Sequence, residues 1–171
     1  AEVSELAEAG IKEVVLTGIH ISSYGKDKNN EGALIELIEA ISKIKGIKRI
    51  RLGSLEPGII TEEFVERISS NSKVCPHFHL SLQSGCDSVL KRMNRKYTCE
   101  QYFEKCDMLR KAYKSPALTT DVIVGFPGET EEEFAETVRY LTELNLYEMH
   151  IFKYSPRKGT VAAAMKEQVA P

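Results

Sequence analysis

The chain has 171 residues, 42% of them hydrophobic and 28% charged, with no tryptophan, which fits one soluble α/β domain or one large piece of a domain. No apolar run approaches the ~18 residues of a membrane span and no signal peptide is visible, while a net charge of −2 gives no basic field that would advertise a nucleic acid. Cys75, Cys86, Cys99 and Cys106 are irregularly spaced, which argues against a metal cluster or a disulfide framework and for reduced cytosolic thiols in or near the core.

Val3, Leu6 and Ala7 at helical spacing predict a helix over residues 2–9, stopped by Gly10. Ile11 to Leu16 reads as a buried strand ending at Thr17-Gly18, and Ile19 to Gly32 as a polar loop carrying His20, Ser22, Ser23 and Tyr24. Ala33 to Ile44 is a helix with Leu34, Ile35, Leu37, Ile38 and Ile41 on its apolar face, closed by Gly46. Ile47 to Leu52 alternates apolar and basic residues and reads as a strand, one of whose arginines is a candidate to meet an internal carboxylate. A turn-rich Gly53-Ser54-Leu55-Glu56-Pro57-Gly58 leads to a helix over Thr61 to Ser70.

Phe78 to Leu82 is a strand running into Gln83-Ser84-Gly85; of His77 and His79, one is expected to face the core. Short and longer helices follow at Ser88 to Met93 and Thr98 to about Tyr113. Val122-Ile123-Val124 is the β-branched run of an inner strand, broken by Gly125-Phe126-Pro127-Gly128. Thr130 with Glu133 is a capping box that starts a helix to Leu144. A strand from about Tyr147 to Tyr154, the loop Ser155 to Thr160 and a terminal helical pattern complete the chain.

A helix followed by five strand–helix repeats implies a parallel sheet with right-handed crossovers. The units are too few for a closed eight-stranded barrel, which leaves a curved partial barrel or an open doubly wound sheet. The chain opens on a helix and without Met, so a first strand is expected to be missing and the chain to be a piece of a longer protein. An unpaired inner strand would allow a homodimer through that open edge.

Ligands of parallel βα folds gather at the carboxyl ends of the strands. Those ends hold Thr17, Gly18, Ser54, Glu56, Gln83, Gly125 and Arg157, with small residues for close approach and polar ones for hydrogen bonding. Asp121 lies earlier on its strand, where a carboxylate is costly unless matched; its partner is expected on the missing first strand. Glu129 at the turn also asks for more than a folding role. The basic cluster Lys91 to Lys96 is either a solvated face or a phosphate contact.

Six ordered motifs resemble the radical S-adenosylmethionine methylthiotransferases across nearly the whole chain. They are residues 16–25 (LTGIHISSYG), 49–57 (RIRLGSLEP), 79–87 (HLSLQSGCD), 90–98 (LKRMNRKYT), 120–130 (TDVIVGFPGET) and 152–160 (FKYSPRKGT). The resemblance implies an α/β fold, a partial (β/α) barrel of the radical-SAM type with five parallel βα units present. Residues 1–171 would be its core. The N-terminal domain, the Cys-x-x-x-Cys-x-x-Cys strand and the C-terminal RNA-binding domain would be absent. It implies S-adenosylmethionine and 4Fe-4S clusters as cofactors of the full-length protein, with no metal held by this piece, whose cysteines match no ligand position. The fragment alone is expected to be inactive.

Carried over by position, the cofactor contacts are Thr17, Gly18, Ser54, Glu56, Gln83, Asp121, Gly125 and Arg157, with His20 and Tyr24 toward the substrate. The reaction implied is cytoplasmic methylthiolation of a modified adenosine beside a tRNA anticodon. The loop at Thr17 to Gly25 resembles the branch acting on N6-threonylcarbamoyladenosine, whereas the isopentenyladenosine branch usually has Gly-Gln-Asn there. Two other readings compete: a methylthiotransferase acting on a ribosomal protein, and a barrel without iron chemistry that binds a phosphorylated metabolite. Against the last, Glu129 and Glu131 to Glu133 repel phosphate from the helix start that would hold it.

Overall fold

The computed structural model describes residues 1–169. The described chain forms two compact units, one of Ala1–Leu80 with Lys105–Leu118 and one of Ser81–Glu104 with the residues from Thr119 onward. Helix α5 (Cys99–Ala112) and strand β4 (Ala117–Val124) each contribute residues to both.

The first unit begins with α1 (Glu2–Glu8), β1 (Glu13–Leu16), α2 (Ala33–Ser42) and β2 (Arg49–Leu52), and continues with α3 (Glu62–Ser69) and β3 (His77–His79). β1 and β2 are parallel, in register from Glu13 opposite Arg49 to Leu16 opposite Leu52. Parallel bridges Ile50 to Val74 and Leu55 to Leu80 continue the order. β1 starts at Glu13, two residues later than the apolar run suggests, because the Lys12 carbonyl turns to accept from Lys48 and Arg49 N–H. The loop after β1 is wound into 3-10 turns at Ile21–Ser23 and Lys26–Lys28.

Burial of α2 through Leu34, Ile35, Ile38 and Ile41 follows its 3.6-residue pattern; Leu37 stays at the rim. α3 is capped by the Thr61 hydroxyl, which accepts from Phe64 N–H at 3.1 Å, and buries Phe64, Val65 and Ile68. Arg67 on α3 forks onto Glu39 of α2 at 2.8 and 2.9 Å, holding that carboxyl below its usual range. Phe78 is wholly buried, and both His77 and His79 sit half-buried on the other face. The expectation that one of them faces the core is corrected by the period of two.

The second unit contains α4 (Asp87–Arg92), most of β4, α6 (Glu131–Leu144) and β5 (Glu148–Lys153). β4 and β5 are parallel, with Thr119 opposite Glu148 and Val124 opposite Lys153. Gln83 is stitched to the other side of β4: its N–H donates to Asp121 C=O at 2.9 Å, and its C=O accepts from Ile123 at 2.8 Å. The strand expected over Phe78 to Leu82 is therefore shorter, and Leu82 N–H goes to the Thr120 hydroxyl instead.

The capping box is present: Glu133 N–H donates to Thr130 Oγ1 at 3.3 Å and Thr130 N–H to the Glu133 carboxylate at 3.1 Å. α6 packs closely on backbone at Gly85, where a Cβ would sit 2.9 Å from the Tyr140 ring and 3.1 Å from Thr137. Among the described residues the terminal helical pattern is realised as a 3-10 turn at Ala162–Ala164; Ala170 and Pro171, which follow the pattern, lie outside the described residues. Tertiary contacts override propensity there. Ala162 and Met165 pack on the Cys86, Val89 and Phe126 cluster, and Gly128 N–H takes the Glu167 carbonyl.

Candidate functional site

β4 and β5 present a period-two face. Asp121 and Ile123 stand opposite His150 and Phe152 in the register. Beside this face lies a cavity of about 500 Å³ lined by Gln83, Asp121, Ile123, Phe152, Tyr154 and Arg157, among others. Three residues singled out from the sequence thus share one cavity, Asp121 from within β4 and Gln83 and Arg157 from beyond the ends of β3 and β5. Gln83 is buried and held at φ 77°, a left-handed conformation uncommon for a residue with a side chain. Its two backbone bonds to β4 keep it there.

Asp121 meets a partner on β5. Its Oδ1 lies 3.2 Å from Nδ1 of His150, directly across the ladder. The alternation of β5 reveals this cross-strand partner once the register is known. Tyr154 and Phe126 pack edge-on, ring centres 5.3 Å apart, and tie the cavity wall to the turn after β4.

Glu129 has a structural role through one of its oxygens, while the other, Oε1, is buried without a hydrogen-bond partner among the described residues. Its Oε2 accepts from Gly125 and Phe126 N–H, the latter at 3.2 Å, so it closes the turn whose glycines stand at φ 70° and 76°. Burial pushes its carboxyl up, while the two backbone donors pull the other way. Gly125 serves this turn and does not line the cavity.

In the first unit Thr17, Gly18 and Ser54 are exposed at the ends of β1 and β2. His20 and Glu56 share a cavity of about 380 Å³ with Ser22, whose hydroxyl accepts from Glu56 N–H at 3.0 Å. Tyr24 faces a different hollow, formed with Gly25, Asp27 and Lys28, so His20 and Tyr24 are not brought together. Arg49 and Arg51 both meet a carboxylate, Glu13 on β1, on the face opposite buried Val14, Ile50 and Leu52. Within the basic cluster, Arg92 is taken by Glu133, and this ion pair holds the Glu133 carboxyl down to about 2.

The model of the radical SAM superfamily matches residues 1–141. The chain belongs to the radical SAM superfamily. Membership implies S-adenosylmethionine and a 4Fe-4S cluster as the cofactors of the chemistry. The chain is similar, at 46% identity over 168 residues, to the threonylcarbamoyladenosine tRNA methylthiotransferase MtaB of Bacillus subtilis, covering 98% of this chain and 37% of that protein. It is also 46% identical over 169 residues to the tRNA-2-methylthio-N(6)-dimethylallyladenosine synthase of Thermoanaerobacter pseudethanolicus, covering 99% and 36%. The chain thus spans little more than a third of the length of these relatives.

Among solved structures it is similar to coproporphyrinogen III oxidase of Escherichia coli, with a TM-score of 0.75 at 17% identity, covering 99% of this chain and 40% of that one. The radical S-adenosylmethionine methyltransferase TsrM of Kitasatospora setae follows, with a TM-score of 0.68 at 19% identity, covering 89% and 29%. At these identities the likeness is one of fold.

The cysteines do not fit a radical-SAM cluster. Cys75, Cys86, Cys99 and Cys106 have none of the Cys-x-x-x-Cys-x-x-Cys spacing. Cys86 Sγ donates to Glu136 Oε2 at 3.2 Å, and burial with the nearby Asp87 pushes the Cys99 thiol up, the reverse of what a metal-bound thiolate requires. The second unit's cavity does fit an adenosyl ligand: it joins aromatic and aliphatic walls to an amide, a carboxylate and a guanidinium. Among the described residues no helix is long and apolar enough to cross a membrane.

Proposed function

We propose that this chain is the S-adenosylmethionine-binding core of a tRNA methylthiotransferase, a radical SAM transferase that inserts a methylthio group into N6-threonylcarbamoyladenosine next to the anticodon. The observation that carries the reading is the cavity gathering Gln83, Asp121 and Arg157, in a chain 46% identical to a threonylcarbamoyladenosine tRNA methylthiotransferase. The Gln83 amide and the Asp121 carboxylate meet ribose hydroxyls, and Arg157 meets the methionyl carboxylate as a charge-assisted donor. The turn Gly125 to Gly128, braced by Glu129, supports the adenine side. Bound there, and given one electron by the cluster that the rest of the full-length protein would hold, the cofactor would supply the radical that abstracts hydrogen from substrate.

In this reading the first unit's Thr17, Gly18, Ser54 and Glu56 are the further candidates for cofactor contact, and its His20 and Tyr24 the candidates for substrate contact. Residues 1–171 are the barrel core of a cytoplasmic protein. A cysteine-bearing strand, an N-terminal domain and an RNA-binding domain are supplied by the remainder, consistent with relatives of nearly three times the length and with a sequence that lacks the cluster motif. tRNA is the partner. A homodimer would use the edge left open by the missing first strand, and sedimentation at several concentrations reads that association directly.

The relatives carry two substrates at equal identity, so the dimethylallyl form is the second reading. Mass spectrometry of tRNA nucleosides from a strain lacking the gene separates them. Loss of the methylthio group from threonylcarbamoyladenosine supports the first reading, its loss from the dimethylallyl nucleoside supports the second, and an unchanged profile overturns both.

A further inference from the structure

We propose that His150 is a positioning residue, fixing the Asp121 carboxylate in the cavity wall for the ribose hydroxyls of an adenosyl ligand. This rests on the adenosyl-site reading above. Three observations support it. His150 and Asp121 are direct partners in the parallel register, with Nδ1 and Oδ1 3.2 Å apart. They occupy the sheet face that carries Ile123 and Phe152, both cavity-lining. And Asp121 is held at its backbone too, because its carbonyl accepts from Gln83 N–H at 2.9 Å.

The chemistry is directional. An ionised carboxylate only accepts, so the facing ring nitrogen, Nδ1, carries the hydrogen. Nε2 then points away, toward Glu148 at 3.9 Å. As a stabilising device the pair is poor: both side chains are substantially exposed, at 51% and 34%, and exposed ion pairs contribute little to folding. As an orienting device it is apt, since the bond favours the rotamer in which Asp121 faces the cavity. The effect of losing it therefore falls on binding and leaves melting unchanged.

The test is titration of S-adenosylmethionine into the chain, with thermal melting alongside. Asparagine places its amide nitrogen where Nδ1 lies and glutamine where Nε2 lies. His150→Gln is expected to weaken binding about tenfold, the size of one charge-assisted hydrogen bond. His150→Asn should stay within about twofold. His150→Gln added to Asp121→Asn should cost nothing beyond Asp121→Asn alone. Equal weakening by Asn and Gln, additive loss in the double variant, or a lowered melting temperature that accounts for the loss would each overturn the positioning role. If Asp121→Asn weakens binding and His150→Gln does not, the positioning role fails and the adenosyl site stands. If Asp121→Asn has no effect, the adenosyl-site reading itself fails.

Discussion

In the first unit the residues after β1 and β2 reach solvent. Thr17, Gly18 and Ser54 are exposed, and of the sequence candidates there only His20 and Glu56 share a cavity. In the second unit Gln83, Asp121 and Arg157 line one cavity, although they come from three separate stretches of chain. The difference lies in the backbone. Gln83 is clamped to β4 on both its N–H and its C=O, and β5 continues the ladder on the other side. β1 and β2 are in register too, as far as Leu16 and Leu52, so what gathers the ligand groups is the bridge of Gln83 itself onto β4, and polar composition alone does not achieve that. Four predictions test the contrast, in falling order of effect.

The strained joint at Gln83 is the first. Gln83→Val places a β-branched residue at φ 77° and is expected to destabilise by about 2 kcal/mol or more. Gln83→Gly relieves the backbone and should melt no lower than the parent chain, yet bind S-adenosylmethionine more weakly. Equal melting of the Val and parent chains would mean that the bridge to β4 does not constrain the cavity.

Second comes the brace beneath the turn. Glu133 caps α6, accepts from Ser88 and pairs with Arg92, so Glu133→Ala should cost about 2 kcal/mol in chemical denaturation. Its carboxyl lies near 2 in the folded chain, below the unfolded value of about 4.3. The stability it contributes is complete above about pH 5 and is lost as the pH falls through about 2. Glu133→Gln should flatten the fall in melting temperature across that window. Glu129 has the opposite sign: burial raises its pKa, so its protonation on acidification favours the folded state.

Glu129 itself is the third. Glu129→Gln retains an oxygen for Gly125 and Phe126 N–H and should change stability by under about 0.5 kcal/mol; Glu129→Ala leaves two donors unmet and should cost about 1.5 kcal/mol. Similar melting of the two variants would contradict the turn-closing role. Smallest is Arg49→Ala in the first unit, where the exposed pair with Glu13 is expected to leave the melting temperature unchanged at physiological salt.

Much of this was legible in the residues. The βα order, the Thr130–Glu133 capping box and the apolar face of α2 follow from local patterns and appear as expected. What depended on register was not legible. His150 reads as one polar residue in an alternating strand until β5 is aligned with β4, and only then does Asp121 gain its partner. Glu129 and Arg92 looked available for ligands because a sequence cannot show that turn amides and a neighbouring helix already use them. The terminal helix failed because the packing of Ala162 and Met165 on the Phe126 cluster outweighs the helix propensity of three alanines.

The most direct test of the central claim is to map amide chemical-shift changes while S-adenosylmethionine is added to the chain. Changes concentrated at Gln83, Asp121, Ile123, Tyr154 and Arg157 are the predicted result. Changes confined to the cavity of His20, Ser22 and Glu56, or no saturable change at the second unit's cavity, would contradict it.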